Sequence, residues 1–270
     1  FSVKNFSVSF TTYESGLRQK VVQAVHNLET VINHGEILAI AGASGSGKSL
    51  LAHAIFGILP GNAVIKGDMF FLGEPLTKQK IYALRGKQMA LIPQSVSYLN
   101  PLMKVGKSAG EKACALFKRY GLDEQVKNLY PHELSGGMAR RVLIATAAAT
   151  PAKLIVADEP TAGLNGTLAH KIMKHLRELA QENRAILLIT HDLYLAAQYA
   201  DIITVIRDGE TIETVRIEDL KSGQAKNDYT RKLWRALPEN HFFHMKRRPY
   251  NEFTYTSKGQ LFLCKTSNFT

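Results

Sequence analysis

The sequence predicts an α/β fold with a mainly parallel sheet, because short apolar runs alternate with helical patterns along the chain. The apolar runs show no polar alternation, which is typical of strands that are buried on both faces. They cover residues 37–41, 89–92, 154–157 and 185–189. Helical patterns lie between and after them, at 49–58, 107–120, 137–149, 166–182 and 193–199. This alternation favours helices packed on a parallel sheet.

Further extended segments flank this core. Residues 1–10 alternate in the manner of a strand, and 21–32 form a second extended candidate. Near the end of the core, residues 202–206 and 211–215 surround an Asp208-Gly209 turn. This pattern predicts a closing β-hairpin.

Composition excludes several classes of protein. The chain has 270 residues, 45% of them hydrophobic and 21% charged, which are ordinary values for a globular protein of one large or two modest domains. Two cysteines rule out a disulfide framework and fit a reducing compartment. The longest uncharged run, between Lys48 and Lys66, is interrupted by polar residues, glycine and proline. We therefore expect no membrane-spanning helix.

The net charge of +11 is concentrated near the C-terminus. From Lys221 onward there are ten Lys and Arg against three Asp and Glu. A basic tail at 221–270 that is simply solvated is the favoured interpretation. An anionic membrane surface or a partner protein comes next, and nucleic acid is a distant third.

The strongest local motif is a glycine-rich loop that follows a buried strand and precedes a helix. Its residues are Gly42, Ala43, Ser44, Gly45, Ser46, Gly47, Lys48 and Ser49. Such a loop points successive N–H groups at phosphate oxygens, and the helix adds the positive end of its dipole. We expect Lys48 to reach the β- and γ-phosphates of the ligand and Ser49 to help hold Mg²⁺.

Two acidic residues end another buried strand. Asp158 and Glu159 follow the apolar run 154–157, which places their carboxylates at the sheet edge where open α/β sheets bind ligands. We expect Asp158 to bind Mg²⁺ and Glu159 to act as the general base toward the attacking water. Taken alone, such a pair is more often the start of a solvated loop.

Three further segments are each weak evidence for function, but their order along the chain is specific. The first precedes a helix and consists of Leu134, Ser135, Gly136, Gly137 and Met138. Free N–H groups at a helix start suit a phosphate supplied from elsewhere. Gln94 follows one strand, with an amide able to meet Mg²⁺ and the attacking water. His191 follows another strand, where its imidazole could contact a γ-phosphate.

The order of these motifs closely resembles the nucleotide-binding subunit of an ABC transporter. The resemblance covers residues 37–216 and implies a P-loop NTPase fold with a RecA-like sheet, an N-terminal antiparallel β-subdomain and a small helical subdomain at about 95–150. It implies two ATP molecules bound between head-to-tail domains. The segment 134–138, called here the signature segment, would then act on the partner's ATP. Glu159 would be the catalytic base, and Phe10 or Tyr13 would stack on adenine.

Finer likeness lies in the stretches 97–106, 130–138 and 229–238. It indicates the oligopeptide, dipeptide and nickel importer group, and the stretches 46–50 and 57–60 look most similar to nickel-type ATPases. That resemblance implies an ATPase at the cytoplasmic face of the membrane, paired with a second ABC ATPase, in a heterodimer by preference. Two permeases complete the assembly, an extracellular solute-binding protein acts indirectly, and nucleic acid has no part. The alternative is a non-transport ABC ATPase of DNA repair or translation.

The sequence also departs from that family. Asn165 stands where the family has Asp, which puts communication across the dimer in doubt. The stretch between Gln94 and Ser135 is short, so the helical subdomain is expected to be reduced. No cysteine-rich tail is present, so we expect no iron–sulfur cluster. His241 and His244 have a chelating spacing, but a surface or packing role is favoured. The expected domains are an ATPase domain at 1–220 and the tail at 221–270.

Overall fold

The computed structural model describes residues 1–13, 19–43 and 45–237, together with the backbone of two short strands near the C-terminus. The strands are β1 Ser2–Tyr13, β2 Gln19–Val31, β3 Ile37–Gly42, β4 Ala63–Phe71, β5 Glu74–Pro75, β6 Met89–Ile92, β7 Leu154–Asp158, β8 Ala185–Thr190, β9 Ile202–Arg207, β10 Glu210–Arg216, β11 Phe253–Tyr255 and β12 Leu261–Leu263. The helices are α1 Lys48–Ile55, α2 Lys78–Leu84, α3 Val105–Ala109, α4 Glu111–Leu116, α5 Gly136–Ala148, α6 Gly166–Gln181, α7 Leu193–Tyr199, α8 Ile217–Lys221 and α9 Asp228–Arg235.

The first ten strands form one sheet in the order β5-β4-β1-β2-β10-β9-β3-β8-β7-β6. Neighbours from β9 to β6 are parallel, and the four predicted buried runs form β3, β6, β7 and β8. At the other end, β1, β2, β4 and β5 pair antiparallel. The predicted hairpin is β9 with β10, and β10 joins the two parts through one parallel pair with β2.

The core lies on both faces of the parallel part of the sheet. Ile37, Ala39 and Ala41 of β3 belong to an apolar cluster that also holds the buried side of α5 and α6. The alternate residues Leu38 and Ile40 belong to a second cluster with α1 and the N-terminal strands. Every residue of β3 is therefore buried, which explains the unbroken apolar run in the sequence.

The helical region between β6 and β7 differs from the prediction. The single helix expected over 107–120 is wrong, because the chain breaks at Gly110 into α3 and α4. Gly110 has a φ of 86° and a ψ of 161°, a conformation that no α-helix contains. Short 3₁₀ turns complete the region at Lys118–Tyr120, Glu124–Asn128 and Pro131–Glu133. Sequence reasoning also missed β4, β5 and α2.

The packed part of the chain continues beyond residue 220. Ala225, Tyr229, Leu233 and Leu237 are buried in the same cluster as α5 and α6. The division at residue 220 remains a prediction, and the first part of the expected tail packs on the core. His241 and His244 lie outside the described residues. Among the helices that the structure describes, none is both long enough and apolar enough to cross a bilayer.

Candidate ATP-binding site

The glycine-rich loop joins β3 to α1, as the sequence predicts. Gly47 has a φ of 86°, and a Cβ atom there would lie 2.6 Å from Val25 Cγ2 and 2.8 Å from the Ala24 carbonyl oxygen. At Gly42, a Cβ would lie 2.2 Å from the carbonyl oxygen of Ile206. Both positions therefore require glycine, because neighbouring strands approach the loop closely. Ser44 of the same loop lies outside the described residues.

Lys48 is held inside this loop. Its ammonium group donates to the carbonyl oxygens of Gly42 at 2.9 Å and Ala43 at 2.8 Å, and lies 3.4 Å from Ser46 Oγ. Burial lowers the pKa of Lys48, while the carboxylates of Glu159 and Asp158 act in the opposite direction. The loop thus presents a fixed positive charge beside two carboxylates.

Ser49 and Asp158 form a pair that fits a magnesium ion. The Ser49 hydroxyl donates to Asp158 Oδ1 at 3.1 Å, although the two residues are 109 positions apart in sequence. Asp158 is only 1% exposed, and burial raises its pKa despite the hydrogen bond from Ser49. One carboxylate and one hydroxyl beside a phosphate loop are the oxygen donors that Mg²⁺ takes, together with water and phosphate. The donor set therefore fits the expected metal.

Glu159 and His191 form the second pair at this edge of the sheet. His191 Nδ1 lies 2.8 Å from Glu159 Oε1, and this hydrogen bond is the largest cause of the raised pKa of His191. The side chain of Glu159 is 9% exposed, against 34% for His191. Glu159 also has a φ of 50°, which is uncommon for a residue with a side chain. Its backbone N–H donates to the Ile189 carbonyl oxygen at 2.8 Å, which fixes it to β8.

The backbone of Gln94 is linked to that of Glu159 by Arg140, a residue that the sequence did not single out. Arg140 Nη1 donates to the Glu159 carbonyl oxygen at 2.8 Å, and Arg140 Nη2 donates to the Gln94 carbonyl oxygen at 2.6 Å. Gln94 itself is exposed. No motif pointed to Arg140, because a basic residue in the second turn of a helix has no distinctive pattern.

The signature segment belongs to the start of α5. The Ser135 hydroxyl accepts a hydrogen bond from the Met138 N–H at 3.3 Å and caps the helix. Ser135 and Gly136 are exposed, and a Cβ atom on Gly136 would meet open space. Leu134 and Met138 pack partly against the core. In the part of the chain that the structure describes, the hydrogen bonds of this segment do not join it to the glycine-rich loop.

The two candidate aromatic residues differ in environment. Phe10 packs partly against the apolar cluster of the N-terminal strands. Tyr13 is 66% exposed, and its hydroxyl lies 3.2 Å from Gln19 Nε2. Phe10 pairs with Val22 across the β1–β2 ladder, and Tyr13 pairs with Gln19.

The fold and this set of residues define a phosphate-loop ATPase. The family model described as ABC transporter matches residues 25–162. The oligopeptide transport ATP-binding protein OppD of Lactococcus lactis subsp. cremoris (strain SK11) is 34% identical over 87% of this chain and 75% of that protein. The protein of the same name from Escherichia coli (strain K12) is 37% identical over 88% and 75%. The chain belongs to the ABC transporter family, whose ATP-binding proteins are ATPases coupled to transport.

Two further comparisons agree with this assignment. The dipeptide transport ATP-binding protein DppD of Lactococcus lactis subsp. cremoris (strain MG1363) is 34% identical over 81% of this chain and 68% of that protein. A solved dimeric, post-hydrolysis state of an ATP-binding cassette, bound to ADP and Pi, superimposes with a TM-score of 0.69. Its identity is 27%, and the match covers 80% of this chain and 98% of that one. The predicted ABC ATPase fold is confirmed.

Proposed function

We propose that this chain is the ATP-hydrolysing subunit of an importer for oligopeptides or dipeptides. The observation that carries the proposal is the joined cluster of Lys48, Ser49, Asp158, Glu159 and His191 at one sheet edge, in a chain whose named relatives are peptide transport proteins. Nickel or a metal chelate is the second cargo class from the sequence likeness, and the named relatives do not favour it.

Each residue of the cluster has a chemical role in this proposal. The loop 42–49 binds the phosphates through its backbone, and Lys48 neutralises their charge. Ser49, Asp158 and the side chain of Gln94 hold Mg²⁺, which supplies charge neutralisation at the phosphates when it is bound. Glu159 accepts the proton of the attacking water, since its carboxylate is fixed by His191. His191 also contacts the γ-phosphate.

The base of ATP stacks on Phe10 rather than Tyr13 in our proposal. The glycine-rich loop touches β2 at Ala24 and Val25, and Phe10 pairs with Val22, close to that contact. Tyr13 pairs with Gln19, six residues from Val25, or about 20 Å along an extended strand. We expect Phe10→Ala to weaken ATP binding about tenfold by loss of stacking, and Tyr13→Ala to leave it unchanged. The reverse result would exchange the two roles.

We further propose that the signature segment acts on ATP held by a second ABC ATPase, a different chain by preference. Support comes from the exposure of Ser135 and Gly136 and from the dimeric cassette among the solved neighbours. A homodimer is the other possibility.

Two permeases complete the assembly in this proposal, and an external binding protein delivers cargo. The stretch from Ser95 to Gly106 is the candidate permease contact, since Val96, Tyr98 and Leu102 expose 37%, 50% and 86% of their surface. The chain then works at the cytoplasmic face of the membrane without nucleic acid. The non-transport alternative is disfavoured because only short helices and turns occupy residues 95–135, where DNA-repair members insert a long coiled coil.

Expression of the Glu159→Gln chain in its native host tests the whole proposal. We expect this variant to hold ATP without hydrolysis, so membranes extracted with ATP should yield the chain with two permeases and an ATPase partner by mass spectrometry. Lys48→Ala serves as the control that does not hold ATP. Peptide-stimulated ATPase activity with the matching binding protein would support peptide cargo. Stimulation by Ni²⁺ or a chelate would instead indicate nickel or a metal chelate as the cargo. Recovery with nucleic acid or ribosomes would contradict the importer.

A further inference from the structure

Arg140 connects three parts of the site through one rigid group. Its two terminal nitrogens donate to the carbonyl oxygens of Glu159 and Gln94, at 2.8 and 2.6 Å. The guanidinium is planar and its donors are fixed relative to each other, so the two carbonyls are held at a set separation. Arg140 itself lies in the second turn of α5, the helix that begins with the signature segment.

The bond to Glu159 falls on a strained peptide. Glu159 has a φ of 50°, in the left-handed region that residues with a side chain rarely adopt. Such a conformation persists only where the surroundings hold it. Here the N–H donates to the Ile189 carbonyl oxygen of β8 at 2.8 Å. The C=O accepts from Arg140 at 2.8 Å and from the Ala162 N–H at the longer distance of 3.2 Å. Without Arg140 the C=O keeps only the longer bond from the neighbouring Ala162, so the peptide is held less firmly and the carboxylate can move away from His191.

We infer that Arg140 is a positioning residue that keeps Glu159 aligned for proton abstraction and ties it to Gln94 and to α5. This inference rests on the proposed function, in which Glu159 is the general base. Arg140 bonds backbone oxygens and is not itself a catalytic residue. Its effect is therefore on the rate of the chemical step rather than on the affinity for ATP.

The chain offers a matched control at the other end of the same helix. Arg184 Nη1 donates to the carbonyl oxygens of Ala148 and Thr150, at 3.2 and 2.9 Å. Arg184→Gln therefore removes an arginine that also bonds two backbone oxygens beside α5, without a contact to Glu159 or Gln94 among the hydrogen bonds of the described residues. A purely structural role for Arg140 would give the two variants the same behaviour.

The test compares wild type, Arg140→Gln, Arg140→Lys and Arg184→Gln in the full chain, with turnover measured in the assembly purified with its partners. ATPase turnover, equilibrium MgATP affinity, the unfolding midpoint and amide exchange at residues 159–166 are measured for each. We expect Arg140→Gln to lower kcat on the order of 10–100-fold with unchanged MgATP affinity and faster exchange at 159–166. Arg140→Lys, which can reach one carbonyl, should recover part of kcat. Arg184→Gln should lower the unfolding midpoint and keep kcat.

An unchanged kcat in Arg140→Gln would overturn the role, as would parallel losses of kcat in Arg140→Gln and Arg184→Gln. Glu159→Gln separates this failure from that of the proposed function. If wild type hydrolyses ATP and Glu159→Gln does not, a normal kcat in Arg140→Gln removes only the role of Arg140. If the wild-type assembly is inactive, or the Glu159→Gln assembly matches it, both proposals fail.

Discussion

The glycine-rich loop and the signature segment are both glycine-containing turns before a helix, but their glycines meet different surroundings. A side chain on Gly47 would press on Val25 and on the Ala24 carbonyl, while one on Gly136 would meet nothing within 4 Å. The first glycine is therefore required by its own chain. The second is not, so a requirement for it would have to come from another molecule. The contrast fits a chain that builds one half of each of two composite sites.

Glu159→Gln should produce the largest effect. It tests the part of the ATP site that this chain builds from its own residues. The amide keeps the size of the carboxylate but cannot accept the proton of water, so kcat should fall about 10²–10⁴-fold. Binding of MgATP should remain, because Lys48 and Ser49 are untouched. Turnover at the wild-type rate would contradict the role of Glu159.

The free energies of unfolding of Gly47→Ala and Gly136→Ala test the difference between the surroundings of the two glycines. Gly47→Ala forces an alanine into a left-handed conformation and against backbone, which should lower the free energy of unfolding by at least about 1–2 kcal/mol. Gly136→Ala should leave that free energy nearly unchanged or raise it slightly, since the residue begins α5 in open space. Urea unfolding measures both. Equal losses would show that both segments are packed within one chain.

The pH dependence of stability tests the Glu159–His191 pair. The pKa of His191 is raised above its ordinary 6.5, chiefly by the hydrogen bond to Glu159, so the native chain binds this proton more tightly than the unfolded chain. The contribution to stability is therefore complete below pH 6.5 and is lost as pH rises through the raised pKa. Unfolding of wild type and His191→Gln between about pH 6 and 9 should show their difference shrinking with pH.

Proton NMR of the imidazole gives the direct check on that pair. A His191 pKa above 6.5 in wild type, which falls toward 6.5 in Glu159→Gln, is the expected result. A value below 6.5 in wild type would show that burial outweighs the carboxylate.

Asn165→Asp should give the smallest effect, at a position next to a residue that lies close to the signature segment. Asn165 caps α6 by accepting from the Leu168 N–H at 2.9 Å, and Leu164 beside it lies 3.6 Å from a Cβ built on Gly137. Asp caps as well as Asn and adds a negative charge at a helix start, so stability should rise by about 0.3–1 kcal/mol. Asn165→Ala, which removes the cap, should lower it. A less stable Asp variant would contradict the role of the cap.

The sequence predicted the parallel half of the molecule well because its strands are buried on both faces. The apolar runs of β3, β6, β7 and β8 have no polar face, so they can pack only where both faces are covered. Because these strands are parallel, the motifs that follow them lie at the same edge of the sheet. The antiparallel strand β4 was missed because residues 64–68 are exposed and show no apolar alternation. The break at Gly110 was missed because periodicity does not report a single φ. Arg140 was missed because its partners are backbone oxygens distant in sequence.

MgATP binding and turnover, measured together on Lys48→Ala and Gly136→Asp, decide whether the glycine-rich loop and the signature segment serve two different ATP molecules. Lys48→Ala should lose both MgATP binding and turnover. Gly136→Asp should fold normally and bind MgATP like wild type, yet lose turnover in the assembly purified with its partners, because the proposed arrangement would set the added carboxylate against the partner's ATP. If Gly136→Asp also loses MgATP binding to the single chain, or keeps full turnover, the division into two half-sites is contradicted.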